Sequence, residues 1–230
     1  PIFEDLAPFL QGLRLDGAYR YSDWSTIGQT DAWSIGLNWT LNDSLIVRGS
    51  IGQSVRAPNL AELFEPDNEE SFRPDDPCEA ANLPFQTEFT VANCRAELSA
   101  LGLDPDDFVS ASPVGRPGLR GGNADLTEEI SDTQTIGLVF TPTFLPGLVT
   151  TLDWWEIDMS DGVLYPSDDE IVERCYDQPT TANQFCDLFT RATDGLVGII
   201  VDLEQRPVNV SNLYTSGIDF SANYPVELGD

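Results

Sequence analysis

Residues 32–52 read AWSIGLNWTLNDSLIVRGSIG, and their alternation decides the fold. Trp33, Ile35, Leu37, Trp39 and Leu41 fall on one side of an extended chain, with Ser34, Gly36, Asn38 and Thr40 on the other. After Asn42-Asp43 the period resumes, and Leu45, Val47, Gly49 and Ile51 oppose Ser44, Ile46, Arg48 and Ser50. Successive side chains of a strand point to opposite faces, so this pattern specifies strands with one greasy and one wet face. Two such runs around a two-residue turn signal make a hairpin.

The same period extends on both sides of the hairpin. In Gly12–Ser22, Leu13, Leu15, Gly17, Tyr19 and Tyr21 share a face against Arg14, Asp16, Ala18 and Arg20. Ile136, Leu138 and Phe140 alternate with Thr135, Gly137 and Val139. Ile218, Phe220, Ala222 and Tyr224 alternate with Gly217, Asp219, Ser221 and Asn223. The run Leu148–Met159 divides its bulk, with Leu152 and Trp154 on one side and Trp155, Ile157 and Met159 on the other. Its apolar face is therefore left open by the pattern.

About six strands result, and their connections alternate in length. A medium connection spans 22–31, a tight turn 42–43, a very long loop about 54–129, a short turn 142–147 and a long loop 160–207. Soluble sandwiches rarely tolerate structureless connections of that size. A membrane barrel has short turns on one side and long loops on the other. Arg14, Arg20 and Arg48 on the polar faces suit a wet lumen better than a dry core. Tyr19, Tyr21, Trp24 and Trp33 lie near strand ends, where an interfacial girdle needs them. Alternation alone fits a soluble sandwich or jelly roll equally well, because that pattern is shared.

Composition narrows the classes further. The 230 residues carry 39 acids against 11 basic side chains, all arginine, with no His and a net charge of −28. Nucleic acid is excluded as a partner, since phosphate binding needs a basic face. Without His, a Ser–His–Asp triad and a Cys2His2 zinc site are excluded too. No run of about 18 apolar residues exists, so no transmembrane helix is expected, while the β route stays open. The charge is concentrated: residues 55–129 hold 16 acids and five arginines, and residues 158–195 hold nine acids and two. That is the pattern of strands carrying large solvated loops. Pro1 opens without an initiator Met or secretory signal, and Gly229-Asp230 ends in a turn, as expected of a piece of a longer polypeptide.

Four cysteines fall in the two long loops and pair by proximity as Cys78 with Cys94 and Cys175 with Cys186, although three connectivities are open. Disulfides imply an oxidising compartment. Ser167-Asp168-Asp169-Glu170 is a capping box, and Thr90–Leu101 places Cys94, Leu98 and Leu101 at helical spacing before Gly102, so the loops contain short helices. The acid clusters Asp67/Glu69/Glu70, Asp75/Asp76, Asp104/Asp106/Asp107 and Asp168/Asp169/Glu170 match no calcium-loop spacing and read as solvated charge. No metal site and no cofactor is expected. The Asn-x-Ser/Thr triplets at Asn38, Asn42 and Asn209 read as coincidence, Asn38 being mid-strand.

Arg48–Gln53 followed by Val55-Arg56-Ala57-Pro58-Asn59-Leu60-Ala61-Glu62-Leu63-Phe64 resembles the strand-end signature of TonB-dependent outer-membrane receptors, with Val55 for the commoner Phe. Gly122-Asn123-Ala124-Asp125-Leu126-Thr127-Glu128-Glu129 is similar to that family's Gly-Asn-Pro-x-Leu-x-Pro-Glu, with Ala124 and Glu128 replacing prolines. Leu152–Asp158 resembles its Asp-Tyr-Trp-x-Ile-Asp strand, and Gly217-Ile218-Asp219-Phe220 its Gly-Ile-Asp-Phe strand. Arg20-Tyr21-Ser22-Asp23-Trp24 matches an Arg-Tyr-Ser-Asp-Tyr element.

The resemblance implies an all-β chain forming part of a large antiparallel transmembrane barrel of about 22 strands. It also implies an outer-membrane location and active uptake of a scarce ligand (siderophore, cobalamin, carbohydrate or metal chelate) rather than enzymatic activity. TonB would act through a plug domain that this chain lacks. On that reading 22–31, 54–129 and 160–207 are extracellular, and 42–43 and 142–147 are periplasmic turns. Arg14, Arg20 and Arg48 would line the lumen wall, with Arg56 at its rim. The alternatives are a secreted all-β ligand- or carbohydrate-binding module and a carbohydrate-active enzyme with a carboxylate pair.

Overall fold

A computed structural model describes residues 3–7, 10–110, 115–210 and 213–226. Its first elements are strands β1 (Phe3–Ala7), β2 (Leu10–Trp24), β3 (Gly28–Asn42) and β4 (Leu45–Arg56). Helix α1 (Leu60–Phe64), strand β5 (Asn68–Phe72), helix α2 (Glu88–Ala100) and strand β6 (Arg116–Arg120) follow. Then come β7 (Glu129–Phe140), β8 (Val149–Ser160), β9 (Gly162–Leu164) and helix α3 (Asp168–Tyr176). The chain ends with β10 (Thr190–Arg191), β11 (Ile200–Val201), β12 (Glu204–Gln205), β13 (Val208–Val210) and β14 (Leu213–Asn223).

The chain divides into two compact units. One comprises Pro1–Pro58, Thr127–Gly162 and Asn209–Asp230 and is a seven-stranded sheet of order β1-β2-β3-β4-β7-β8-β14, antiparallel at every pair. The seventh strand is the short β1, which joins the six read from alternation. β2 and β3 run on beyond expectation: pairing continues to Trp24↔Gly28, so a turn at 25–27 replaces most of the expected connection at 22–31. Alternation through Tyr21 and Asp31 keeps that ladder in register, and the Tyr19 hydroxyl donates to Asp31 at 2.5 Å. The tight turn sits at 43–44, one residue later than expected, because the Asn42 carboxamide accepts the Ser44 N–H at 2.9 Å.

Register fixes the two faces. Leu15 pairs with Leu37, Leu37 with Gly49, Gly49 with Ile136, Ile136 with Trp154 and Trp154 with Ile218. This places Leu152 and Trp154 on the apolar face, and Trp155 and Ile157 among polar partners, which resolves the ambiguous run. Described residues on that apolar face are largely exposed: Ile35, Ile136, Ile218 and Phe220 are 53%, 55%, 70% and 70% exposed. Every buried Leu, Ile, Val, Phe, Tyr and Cys among the described residues lies in the other unit.

That second unit, Asn59–Leu126 with Val163–Val208, has a core of its own. Cys78 is bonded to Cys94 and Cys175 to Cys186, with Cα–Cα distances of 5.1 and 4.7 Å. Cys94, Leu98, Ile171, Val172 and Tyr176 are fully enclosed, bringing the buried stripes of α2 and α3 into one core. Both helices start where capping chemistry starts them. Thr87 caps α2, and Ser167 with Glu170 completes a reciprocal box on α3. Gly102, at φ +76°, follows the last turn of α2. A three-stranded sheet β12-β6-β5 and the two-stranded β10–β11 pairing of Thr190–Arg191 with Ile200–Val201 also belong to this unit.

Candidate functional site

The chemistry of the sheet lies on its polar face. One rung crosses six strands: Arg14, Asn38, Arg48, Gly137, Asp153 and Asp219 are successive register partners. Arg48 on β4 reaches across β7 to make a bidentate pair with Asp153 on β8, at 2.9 and 2.7 Å. It passes over Gly137, where a Cβ would lie 1.9 Å from Asp153 Oδ1 and 3.1 Å from Arg48 Nε. The glycine in β7 is therefore the space the ion pair occupies. Asp16 lies over Gly36 of β3 in the same manner, 2.5 Å from where a Cβ would stand.

The neighbouring rung carries an aromatic version. Trp155 of β8 is laid over Gly217 of β14, with ring carbons 2.7 and 2.9 Å from an added Cβ. Its indole N–H donates to Asp219 at 3.0 Å. Two stretches that resemble family strands are thus parts of one clasp: Gly217 supplies the seat and Asp219 the acceptor. Ser50 and Thr135 share a hydrogen bond at 2.7 Å on the same rung.

The four arginines singled out in the sequence all lie on this face but do not converge. Arg14 stands opposite Asn38. Arg20 stands opposite Ala32 and donates to the Ser22 hydroxyl at 3.2 Å. Arg48 is held by Asp153, and Arg56 by Glu129 at the end of the ladder. Sequence reasoning did not read Asp153, Trp155, Gly137 and Gly217 as site residues, because a register across three strands is needed to see which glycine faces which long side chain.

The second unit contains the remaining organised chemistry. Asn59 caps α1 through the N–H groups of Ala61 and Glu62, and Glu62 returns to the Asn59 N–H at 2.7 Å. Gly122 packs on the end of that helix. Its N–H donates to Glu65 O at 2.9 Å, and a Cβ would lie 2.7 Å from Leu63 C and Phe64 N. Asn123 N–H donates to Glu62 O at 2.8 Å. The motif at 55–64 and the motif at 122–129 therefore meet: the first uses Asn59 and Glu62 to cap α1, and the second uses Gly122 to approach the end of that helix.

Deeper in this unit Asp76 and Arg191 form an ion pair with both side chains 1% exposed, a correction to the reading of Asp75/Asp76 as solvated charge. Arg191 donates to both Asp76 oxygens at 2.7 and 2.8 Å, to Tyr176 Oη at 2.7 Å and to the Gly198 carbonyl at 2.6 Å. Tyr176 donates onward to Glu97. Burial opposes the Arg191 charge, but the hydrogen bonds and charge of Asp76 more than offset it, so the guanidinium stays protonated, with its pKa raised. Burial pushes the Tyr176 phenol well above its ordinary value of 10.0, against the lowering effect of Arg191. Asp168 and Asp169 also prove to be ties, accepting the N–H groups of Arg73 and Asp75 at 3.1 and 2.7 Å. Among the described residues no group of three or more Cys, Asp and Glu side chains converges as a metal set.

This architecture has known counterparts. A family model described as TonB dependent receptor-like, beta-barrel matches residues 3–229. The siderophore receptor PirA of Acinetobacter baumannii is similar at 16% identity and TM-score 0.54, over 92% of this chain and 23% of its own. PirA of Pseudomonas aeruginosa matches at 16% identity and TM-score 0.53, over 97% and 30%. A mutant of the ferric enterobactin receptor PfeA of Pseudomonas aeruginosa, in complex with enterobactin, matches at 14% identity and TM-score 0.53, over 92% and 22%. The chain thus spans less than a third of the length of these solved receptors. No curated protein matches it.

Proposed function

This chain belongs to the TonB-dependent receptor β-barrel family, and from that premise we propose that it is part of an outer-membrane uptake receptor, one arc of a barrel of about 22 strands. The observation that carries the reading is the division of apolar surface. The sheet leaves its greasy face uncovered while the other unit buries a complete core. A one-sided, uncovered apolar sheet is costly in water and ordinary in hydrocarbon. The ladder satisfies the backbone groups between strands, as a bilayer demands.

The opposite face then borders a water-filled lumen, with Arg14, Arg20 and Arg48 on its wall and Arg56 at its rim. The connections 25–27, 57–128 and 161–212 are extracellular, and the turns 43–44 and 141–148 periplasmic. Ligand is captured by the two long disulfide-bonded segments and passes through the lumen past a plug on which TonB acts. The similar solved receptors bind siderophores, and this reading extends that ligand class to the present chain. The second unit's 23 acids against seven arginines, a net of −16, favour neutral or cationic chelates over anionic ones.

The test is to express the complete gene with its signal and follow the product. Recovery in outer-membrane fractions, heat-modifiable migration, and TonB-dependent uptake of an iron chelate are expected. A monodisperse, water-soluble product would refute the proposal.

A further inference from the structure

The second unit is built from two stretches, Asn59–Leu126 and Val163–Val208, separated in sequence by β7 and β8. As sequence they are two loops, each with its own disulfide, and nothing in that arrangement ties one to the other. The contacts do. Arg191 of the second stretch is buried on Asp76 of the first, and Tyr176 reaches Glu97. The Asn93 carboxamide donates to the carbonyls of Tyr176 and Gln178 at 2.9 and 2.8 Å, and Thr87 donates to Asp177 at 2.5 Å. The first turn of α3 holds the backbone of 73 and 75. β12 pairs in parallel with β6, and Arg206 grips Asp67 at 2.9 and 3.2 Å while donating to Gly122 O at 2.8 Å.

Separating the stretches breaks the buried pair of Arg191 and Asp76 and takes each from the partner its site is shaped for. That loss is far steeper than breaking an exposed pair. It also strips the Asn93 donor from the carbonyls at the C-terminal end of α3 and the Asp177 acceptor from Thr87 at the start of α2. We propose that the two stretches open and close only together, as one cooperative body pinned at Arg191. Gly198 belongs to the pin. Its φ of +89° and the 2.5 Å from an added Cβ to Leu103 reserve the place for a residue without a side chain, and its carbonyl accepts from Arg191. This goes beyond the uptake reading and does not depend on it, because its measurement makes no use of transport. In a receptor it turns two apparent flaps into a single moving part.

The experiment is native-state hydrogen exchange by mass spectrometry on the complete protein in detergent, under rising sub-denaturing urea. The slowest amides of α2 and α3 should converge on the same exchange rate. Arg191→Met should accelerate both sets by the same factor, on the order of a hundred-fold, the opening expected when one partner of a buried pair is removed. If that variant does not fold, Glu97→Gln at the half-exposed end of the network should still accelerate both helices equally, by a smaller factor. α3 exchanging independently while α2 stays protected, in wild type or in either variant, would overturn the proposal.

Discussion

Gly217→Ala tests whether the polar face is held together by side chains laid over glycines. The new methyl would stand 2.7, 2.9 and 3.2 Å from Cζ2, Cε2 and Nε1 of Trp155. Ordinary carbon contacts lie at about 3.5–4.0 Å, so the indole must retreat by roughly 1 Å. Its 3.0 Å hydrogen bond to Asp219 does not survive that displacement. Losing the bond costs about 1 kcal/mol, and an off-rotamer indole about another. Against this, Ala is preferred to Gly in a strand by roughly 0.5–1 kcal/mol. The net expectation is a destabilisation of about 1–1.5 kcal/mol, the difference of those estimates. In a Trp155→Ala background the obstacle is gone and only the strand preference remains, so the same substitution should become neutral or slightly stabilising. The assay is a double-mutant cycle on urea midpoints of the folded receptor in detergent, read by heat-modifiable mobility and circular dichroism. An equal cost of Gly217→Ala in both backgrounds would show that the glycine serves the backbone and not the indole.

Other expectations concern the second unit. Replacing Cys175 and Cys186 together by Ser should lower its stability by about 2–4 kcal/mol, read as a lower melting temperature that no longer responds to reductant at that pair. Asn59→Ala should cost about 1 kcal/mol by removing the cap of α1, while Asn59→Asp should be nearly neutral; denaturant midpoints distinguish them. The raised pKa of Tyr176 means the folded state holds a proton that the unfolded chain releases near its ordinary 10.0. The stability it contributes is present below that pH and is lost as pH rises above it. Melting curves between pH 8 and 11 should fall more steeply for wild type than for Tyr176→Phe, and parallel slopes would remove Tyr176 as the cause.

Much of the sheet was legible in the sequence because a period of two is a local signal. Trp33, Ile35 and Leu37 declare their face without reference to any partner. Family-like motifs at 55–64, 122–129 and 217–220 extended the reading from strands to a barrel family. What stayed hidden was set by pairing between distant strands. The side of Trp155 could not be chosen while the polar face was assumed to carry only polar residues; Gly217, some sixty residues away, is what allows an indole there. The Asp76–Arg191 pair was hidden for a similar reason. An Asp beside another Asp in an acidic segment looks solvated until an arginine 115 positions later is seen to be buried against it. The turn at 43–44 was off by one because the cap of Asn42 depends on backbone geometry that residue type only suggests.

The recumbent side chains of the polar face determine its relief. Asp16, Asp153 and Trp155 each lie down across a neighbouring strand, because Gly36, Gly137 and Gly217 leave the ground beneath them clear. A carboxylate or an indole that stood upright would jut into the space in front of the sheet; flattened, it presents a low, smooth floor. Headroom along that wall is thus set by the residues with no side chain at all, and methyl groups placed there would push the carboxylates and the indole upright and narrow the clearance without replacing a single charged residue.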